Sequence, residues 1–363
     1  MWQPTGNSIL LVARGADPVG TGREVEVAAA GLAANGPHVH VAFTSAVGSL
    51  SERLTARGIA VHQVGRRPQP DAAVVGRLVN VVRTVQPLTI VAFGRPQAVA
   101  AAVATRLRMP GGVGPRLIAR VALIPRGLVD AWALTRADRV IASSQTVAEA
   151  CRTMGVARHR LDTLEPVADV ASPVGLRRDE IAGQLRLDPT KIWSLCVAPL
   201  TARSRLDRLL WAIDQLGVVR RDIEHVLVGS GPQFHHVDRR ARVQHLAERL
   251  RLVSSCAYLP DLLREVRFVW QPGDVALGGA LFDAMAAGKP TVAVESESAR
   301  QAIVDGATGW IVPPGPESEF PRRAFSFIED DAVISQFGAA AQERAATHFS
   351  SDRYISALLD TIR

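Results

Sequence analysis

Lysine is almost missing from this chain. Of its 42 basic residues only Lys191 and Lys289 are lysines, and the rest are arginines. The net charge of +7 is therefore arginine charge, which suits phosphate-bearing ligands, anionic headgroups or nucleic acid. Aromatic residues are also scarce, at 5%, and no basic run is interleaved with them; a nucleic-acid-binding module is not expected. Cysteine is limited to Cys151, Cys196 and Cys256, odd in number and far apart. That excludes a disulfide framework and a cysteine metal site, and suggests a reducing compartment. Residues 27–51 carry no Asp, Glu, Lys or Arg, yet Asn35-Gly36-Pro37, His38 and His40 interrupt them, so they do not read as a membrane span. The opening MWQPTGNSILLVARG has no basic residue ahead of its apolar run and does not read as a signal peptide. A cytoplasmic protein is expected, with an arginine surface able to touch the inner face of a membrane.

What is present is an αβ alternation long enough, at 363 residues, for two domains with separate cores. SILLVA (8–13) reads as a strand, then come a loop, a helix over 25–34 and a second strand, VHVAF (39–43). This is a βαβ unit and hence the start of a parallel sheet. Gly20 and Gly22 sit at the strand-to-helix turn, where backbone N–H groups can receive an anion or simply form a tight turn. The three-glycine dinucleotide spacing is absent. Strands at GIAVHQV (58–64), LTIVAF (88–93) and RLIARVAL (116–123) continue the series. A polar, proline-bearing stretch, 170–188, reads as the interdomain connection. A second series follows: strand IWSLCVA (192–198), helix 205–216, strand HVLVGSG (225–231), a helix over 234–250, and strands CAYLP (256–260) and FVWQP (268–272). The expected domains are thus 1–169 and 189–345, with 346–363 as a helix returning to the first.

Asp274 to Gly315 is the most informative stretch. Gly278 and Gly279 lie in a loop before LFDAMAA (281–287), which Gly288-Lys289-Pro290 stops. A strand, TVAVE, then a short helix, SARQAIV, the turn Asp305-Gly306 and a strand, TGWIV, follow up to Pro313-Pro314-Gly315. This stretch resembles the donor site of the family-4-type, GT-B-fold glycosyltransferases, whose members commonly read EGFGLVLLEAMAxGxPVVA and then EIVxDGxTGxLVPPG. The spacing is kept without a gap from Ala284 to Gly315. Gly22-Arg23-Glu24 resembles the family's early G-x-E, Ala137 to Ser144 its ADxVIAxS, and Val228 to Pro232, with Gly231, its VGxGP turn. The resemblance implies a GT-B fold, α/β with two Rossmann-like αβα domains facing across a cleft.

It further implies a retaining transferase that takes a sugar from a nucleotide diphosphate donor, without metal or cofactor, to a glycan, lipid or small-molecule acceptor. Asp283 stands for the glutamate that holds the ribose, Gly278 and Gly279 face the phosphates or sugar, and Gly20 and Gly22 would line the domain opening. Other positions depart from the family. In its VGRLxxxKGxxxL, Pro199 replaces the Arg and Ser204 the Lys; the flanking Arg203 and Arg205 would either meet the pyrophosphate or be plain helix-start arginines. The first donor glutamate falls on Val275, next to Asp274, which a one-residue shift would bring to the sugar. Glu297-Ser298 replaces a glycine pair, and Gln301 the glutamate after it. Phe93-Gly94-Arg95 and Ile124-Pro125-Arg126 stand where a histidine is common. These losses keep a second expectation open, a weak or inactive homologue acting as a binding or scaffold protein.

Overall fold

A computed structural model describes residues 7–15, 20–45, 49–65, 73–108, 114–169, 173–275 and 280–362. The chain divides into two compact units, Met1–Val167 with Ser351–Arg363, and Ala168–Ser350.

The first unit holds a seven-stranded parallel sheet in the order β3-β2-β1-β4-β5-β6-β7. Its strands are β1 (Ser8–Ala13), β2 (His38–Phe43), β3 (Ala60–Gln63), β4 (Thr89–Phe93), β5 (Arg116–Val121), β6 (Arg139–Ala142) and β7 (Leu161–Thr163). Strand β1 is buried throughout, as an uncharged run covered on both faces must be. Leu10 and Val12 share one core with Ile90 and Ala92, whereas Ile9, Leu11 and Ala13 share the other with Val91 and Phe93. That split is the two-residue period of a pleated strand. On the second face lie helices Thr21–Ala34 and Ser351–Ile362, whose Tyr354 and Leu358 are buried beside Leu11 and Phe43. Gly31 makes their close contact possible: a Cβ there would stand 2.5 Å from Ile355. The terminal helix is thus part of the first core, and Phe349-Ser350 separates it from helix Asp331–His348 of the second unit.

The second unit holds six parallel strands in the order β10-β9-β8-β11-β12-β13: β8 (Ile192–Val197), β9 (Ile223–Val228), β10 (Leu250–Val253), β11 (Phe268–Gln271), β12 (Thr291–Val294) and β13 (Gly309–Val312). Helix Leu206–Val219 buries Leu206, Leu209, Leu210, Ile213 and Leu216, the i, i+3, i+4 stripe of an amphipathic helix. Two expectations fail here. CAYLP is no strand: Pro260 occupies the first turn of helix Leu259–Glu265, where its missing N–H costs nothing. The strand is instead Leu250–Val253, because helix Phe234–Val243 ends early and His245 takes the left-handed conformation at φ 54°. The stretch expected as a connection also contains a helix, Arg178–Leu185, with Glu180 accepting from the Arg177 N–H at 2.7 Å.

Candidate functional site

In an open parallel sheet, ligands collect beyond the carboxyl ends of the strands where the order reverses. In the second sheet that point lies between β8 and β11, paired from Phe268↔Ser194 to Trp270↔Cys196. The loops leaving these strands meet. Arg203, in the short 3-10 turn Ala202–Ser204 after β8, places a guanidinium nitrogen 2.6 Å from the Asp274 carboxylate after β11. Their side chains are 40% and 37% exposed, so the pair is worth about 0.2–1 kcal/mol and is easily exchanged for another anion. Two residues expected to serve the donor are therefore together, holding each other.

The loops fit because glycine stands at three points of contact. A Cβ on Gly273 would lie 2.4 Å from the Arg203 carbonyl oxygen, one on Gly229 1.9 Å from that of Ala198, and one on Gly231 2.5 Å from that of Leu200. Gly231, in the VGxGP turn, thus serves the approach of the β9 loop to the β8 loop, which the Leu200 N–H to Ser230 carbonyl bond of 2.9 Å also ties. Ser204 is fully buried and donates to the Pro199 carbonyl. Arg205 is exposed and left-handed, φ 51°, at the start of helix Leu206–Val219.

Asp283 lies in the first turn of helix Leu281–Ala286 and is 3% exposed, a position that favours a carboxylate through the helix dipole. Gly278 and Gly279 lie outside the described residues. Val275 is buried in the core of this unit, 6% exposed. Past β12, Ser296 caps helix Glu297–Ala302 through the Ala299 N–H, and Ser298 is buried and accepts from Gln271 at 3.0 Å. Glu297 is half-buried at the helix start. Sequence reasoning missed Gln271 altogether. It is the last residue of β11, and nothing but that position marks it.

In the first unit the matching loop is used internally. Gly20 has φ 56° and ψ −119°, open to glycine alone, and Gly22 is buried in the helix that follows. Glu24 accepts from Arg120 at 2.6 and 2.9 Å, both side chains essentially buried. Arg120 shares the strand face of Ile118, the face that helix Thr21–Ala34 covers, so its charge had to be met there. Arg23 turns inward too and donates to the Val167 carbonyl at 2.8 Å. Arg95 is paired with Asp130, which also accepts from the Arg126 N–H, and the Arg126 side chain is exposed.

Residues 193–330 match the model of the family described as Glycosyl transferases group 1. This segment lies wholly within the second unit. That segment is similar to the group 1 glycosyltransferases. The chain is 25% identical over 251 residues to the D-inositol 3-phosphate glycosyltransferase of Gordonia bronchialis, covering 62% of this chain and 52% of that protein. It is 29% identical over 140 residues to the phosphatidyl-myo-inositol mannosyltransferase of Mycolicibacterium smegmatis, 38% of this chain and 36% of that one. The chain thus spans about half the length, or less, of the curated relatives it matches. Among solved structures, HepE of Anabaena in complex with UDP-glucose superposes with a TM-score of 0.78 at 20% identity, covering 98% of this chain and 99% of that one. WaaG, a glycosyltransferase involved in lipopolysaccharide biosynthesis, gives 0.73 at 14% identity, with coverage of 98% and 99%. The fold is therefore GT-B, two Rossmann-like parallel-sheet domains.

Within residues 193–330, several positions of the motifs that this segment resembles carry other side chains. Arg205 occupies the glycine position that follows the family's Lys, and its left-handed backbone keeps the turn the glycine would make. Ser204, at the Lys position, faces inward and offers no charge. Other reactive groups are withdrawn. Cys151 and Cys256 are buried, with their thiols pushed up to about 12 by burial. His225 is buried between β8 and β10 against Ser194, and burial brings its pKa down to about 3, so it stays neutral.

Proposed function

We propose that the chain is a retaining glycosyltransferase that moves a sugar from a nucleotide diphosphate donor to a glycan, lipid or small-molecule acceptor. It needs no metal, and it works in the cytoplasm, free or against the inner face of a membrane. The observation that carries this reading is the Arg203–Asp274 pair at the switch point of the second sheet. The incoming pyrophosphate displaces Asp274 from Arg203, whose planar guanidinium then takes up the charge of the leaving group. Asp274, once released, accepts a hydrogen bond from a hydroxyl of the sugar, and Asp283 receives the ribose. Gly278 and Gly279 supply backbone N–H groups on the donor side, while Gly20 and Gly22 bound the opening of the first unit. HepE, whose fold this chain shares, was solved with UDP-glucose and with UDP and glucose, which supports a nucleotide sugar as donor. No helix among the described residues is long and apolar enough to cross a membrane.

A second reading is favoured by Ser204 and Val275, both buried where the family carries a Lys and a Glu. On that reading the fold survives as a binding or scaffold protein without turnover. Thermal unfolding with UDP, GDP, ADP and dTDP, and with their sugar conjugates, separates the two. A ligand at 100 times its Kd adds about 2.7 kcal/mol, a shift of several degrees. The transferase reading expects one base to shift the midpoint, and Arg203→Ala to remove the shift. No response to any nucleotide leaves the scaffold.

A further inference from the structure

At the other end of the second sheet, where β8, β11 and β12 begin, lies a cavity of about 550 Å³. Both lysines of the chain line it, Lys191 just before β8 and Lys289 just before β12. Arg178 and Arg267 join them, and Glu265 is the lining carboxylate. Three of the four cations are compensated. Arg178 stacks 3.7 Å from the ring of Trp193 and lies 3.4 Å from Glu265. Lys191 stands 3.4 Å from the buried Glu224, and Arg267 is paired with Asp331. Lys289 is half-buried and has no ion-pair or hydrogen-bond partner for its ammonium among the described residues. Burial, chiefly, lowers its pKa; the Glu265 carboxylate opposes that in part, and the charge of Arg178 adds a smaller lowering. An ammonium in such surroundings gains from an anion brought to it.

We infer that this cavity is a second binding site, for a small phosphorylated molecule, with Lys289 as the group that holds its phosphate. A bare phosphate would occupy only part of the volume, which falls in the range of small-molecule pockets. The remainder, walled on one side by Arg178 stacked on the buried Trp193, takes a neutral body. A phosphate monoester fits the donor set better than a carboxylate: with up to two charges and three terminal oxygens it can reach Lys289 together with Lys191 or Arg267. The site is distinct from the loops bearing Arg203 and Asp274, which leave the opposite strand ends, and it does not depend on the chain transferring sugar.

With two lysines in the chain, amine acylation followed by mass spectrometry reads this site directly. The full chain is labelled alone and with a hexose, a hexose 6-phosphate, a hexuronate or inorganic phosphate. Binding that raises the Lys289 pKa by half a unit lowers its reactive neutral fraction about threefold. That protection is expected with the hexose phosphate, in weaker form with inorganic phosphate, and with neither the free hexose nor the hexuronate. Lys289→Gln, which keeps most of the side chain's bulk, weakens hexose phosphate binding about tenfold, the loss expected for one charge-assisted hydrogen bond; Lys289→Arg retains it. Unchanged labelling of Lys289, equal affinity in Lys289→Gln, or loss through Arg203→Ala instead of Lys289→Gln each overturns the inference. Equal protection by the hexuronate overturns the assignment to phosphate.

Discussion

At the scale of the residue, Arg205 joins two demands that the sequence does not separate. Its backbone sits at φ 51° and ψ 41°, where an L-residue pays about 1–2 kcal/mol, while its exposed guanidinium stands one residue past the lost Lys position. Arg205→Gly removes the backbone cost and deletes the charge. Urea unfolding is expected to show stabilisation of about 1 kcal/mol, since glycine's relief in this conformation outweighs its added freedom in the unfolded chain. Nucleotide affinity read on the same variant then divides the two arginines. Unchanged binding leaves the pyrophosphate to Arg203, and weaker binding makes Arg205 a phosphate ligand. A loss of stability would contradict the account of the turn.

At the scale of the element, three loops knit at one end of the second sheet through close backbone approaches. Gly273 is the cleanest test, because its φ is not positive and only space is at issue. In Gly273→Ala the new methyl meets the backbone of Arg203 and Ser204, at 2.4 and 2.7 Å, and the β11 loop must move. A destabilisation of about 1–3 kcal/mol is expected, with loss of the Arg203–Asp274 contact and of nucleotide affinity. A variant with the wild-type midpoint and affinity would sink this description of the loops. Elements of this kind were largely legible. The uncharged run SILLVA and the β-branched TVAVE are strands β1 and β12, and Gly288-Lys289-Pro290 does end a helix, at Ala286. The site was less so. The Arg203–Asp274 pair joins loops 71 residues apart, and its existence depends on which strands are neighbours. Glu24 read as a motif residue, and only the covered face of β5 shows that Arg120 takes its charge. CAYLP misled because its apolar residues suit a buried helix turn as well as a short strand.

At the scale of the whole molecule, the first unit is closed by a segment from the far end of the chain. Helix Ser351–Ile362 buries Tyr354 and Leu358 against the first sheet, and Arg116, at the start of β5, donates to the Ile362 carbonyl at 2.7 Å. Removing everything after Ser350 therefore strips the first core, although the cut lies just beyond the second unit. At roughly 2 kcal/mol for each large apolar side chain exposed, Tyr354 and Leu358 alone remove a large part of a domain's usual stability. The tryptophans make the consequence readable. Trp193, Trp211, Trp270 and Trp310 lie in the second unit, whereas the first has Trp2 and Trp132. In urea, the truncated chain is expected to lose part of its helical circular dichroism early, from the first unit. Its tryptophan fluorescence, which mostly reports the second unit, is expected to change near the wild-type midpoint. If both signals instead move together at the wild-type midpoint, the terminal helix adds little to the first core. If both move together at a lower one, the two units unfold as a single cooperative body, each depending on the other for its stability.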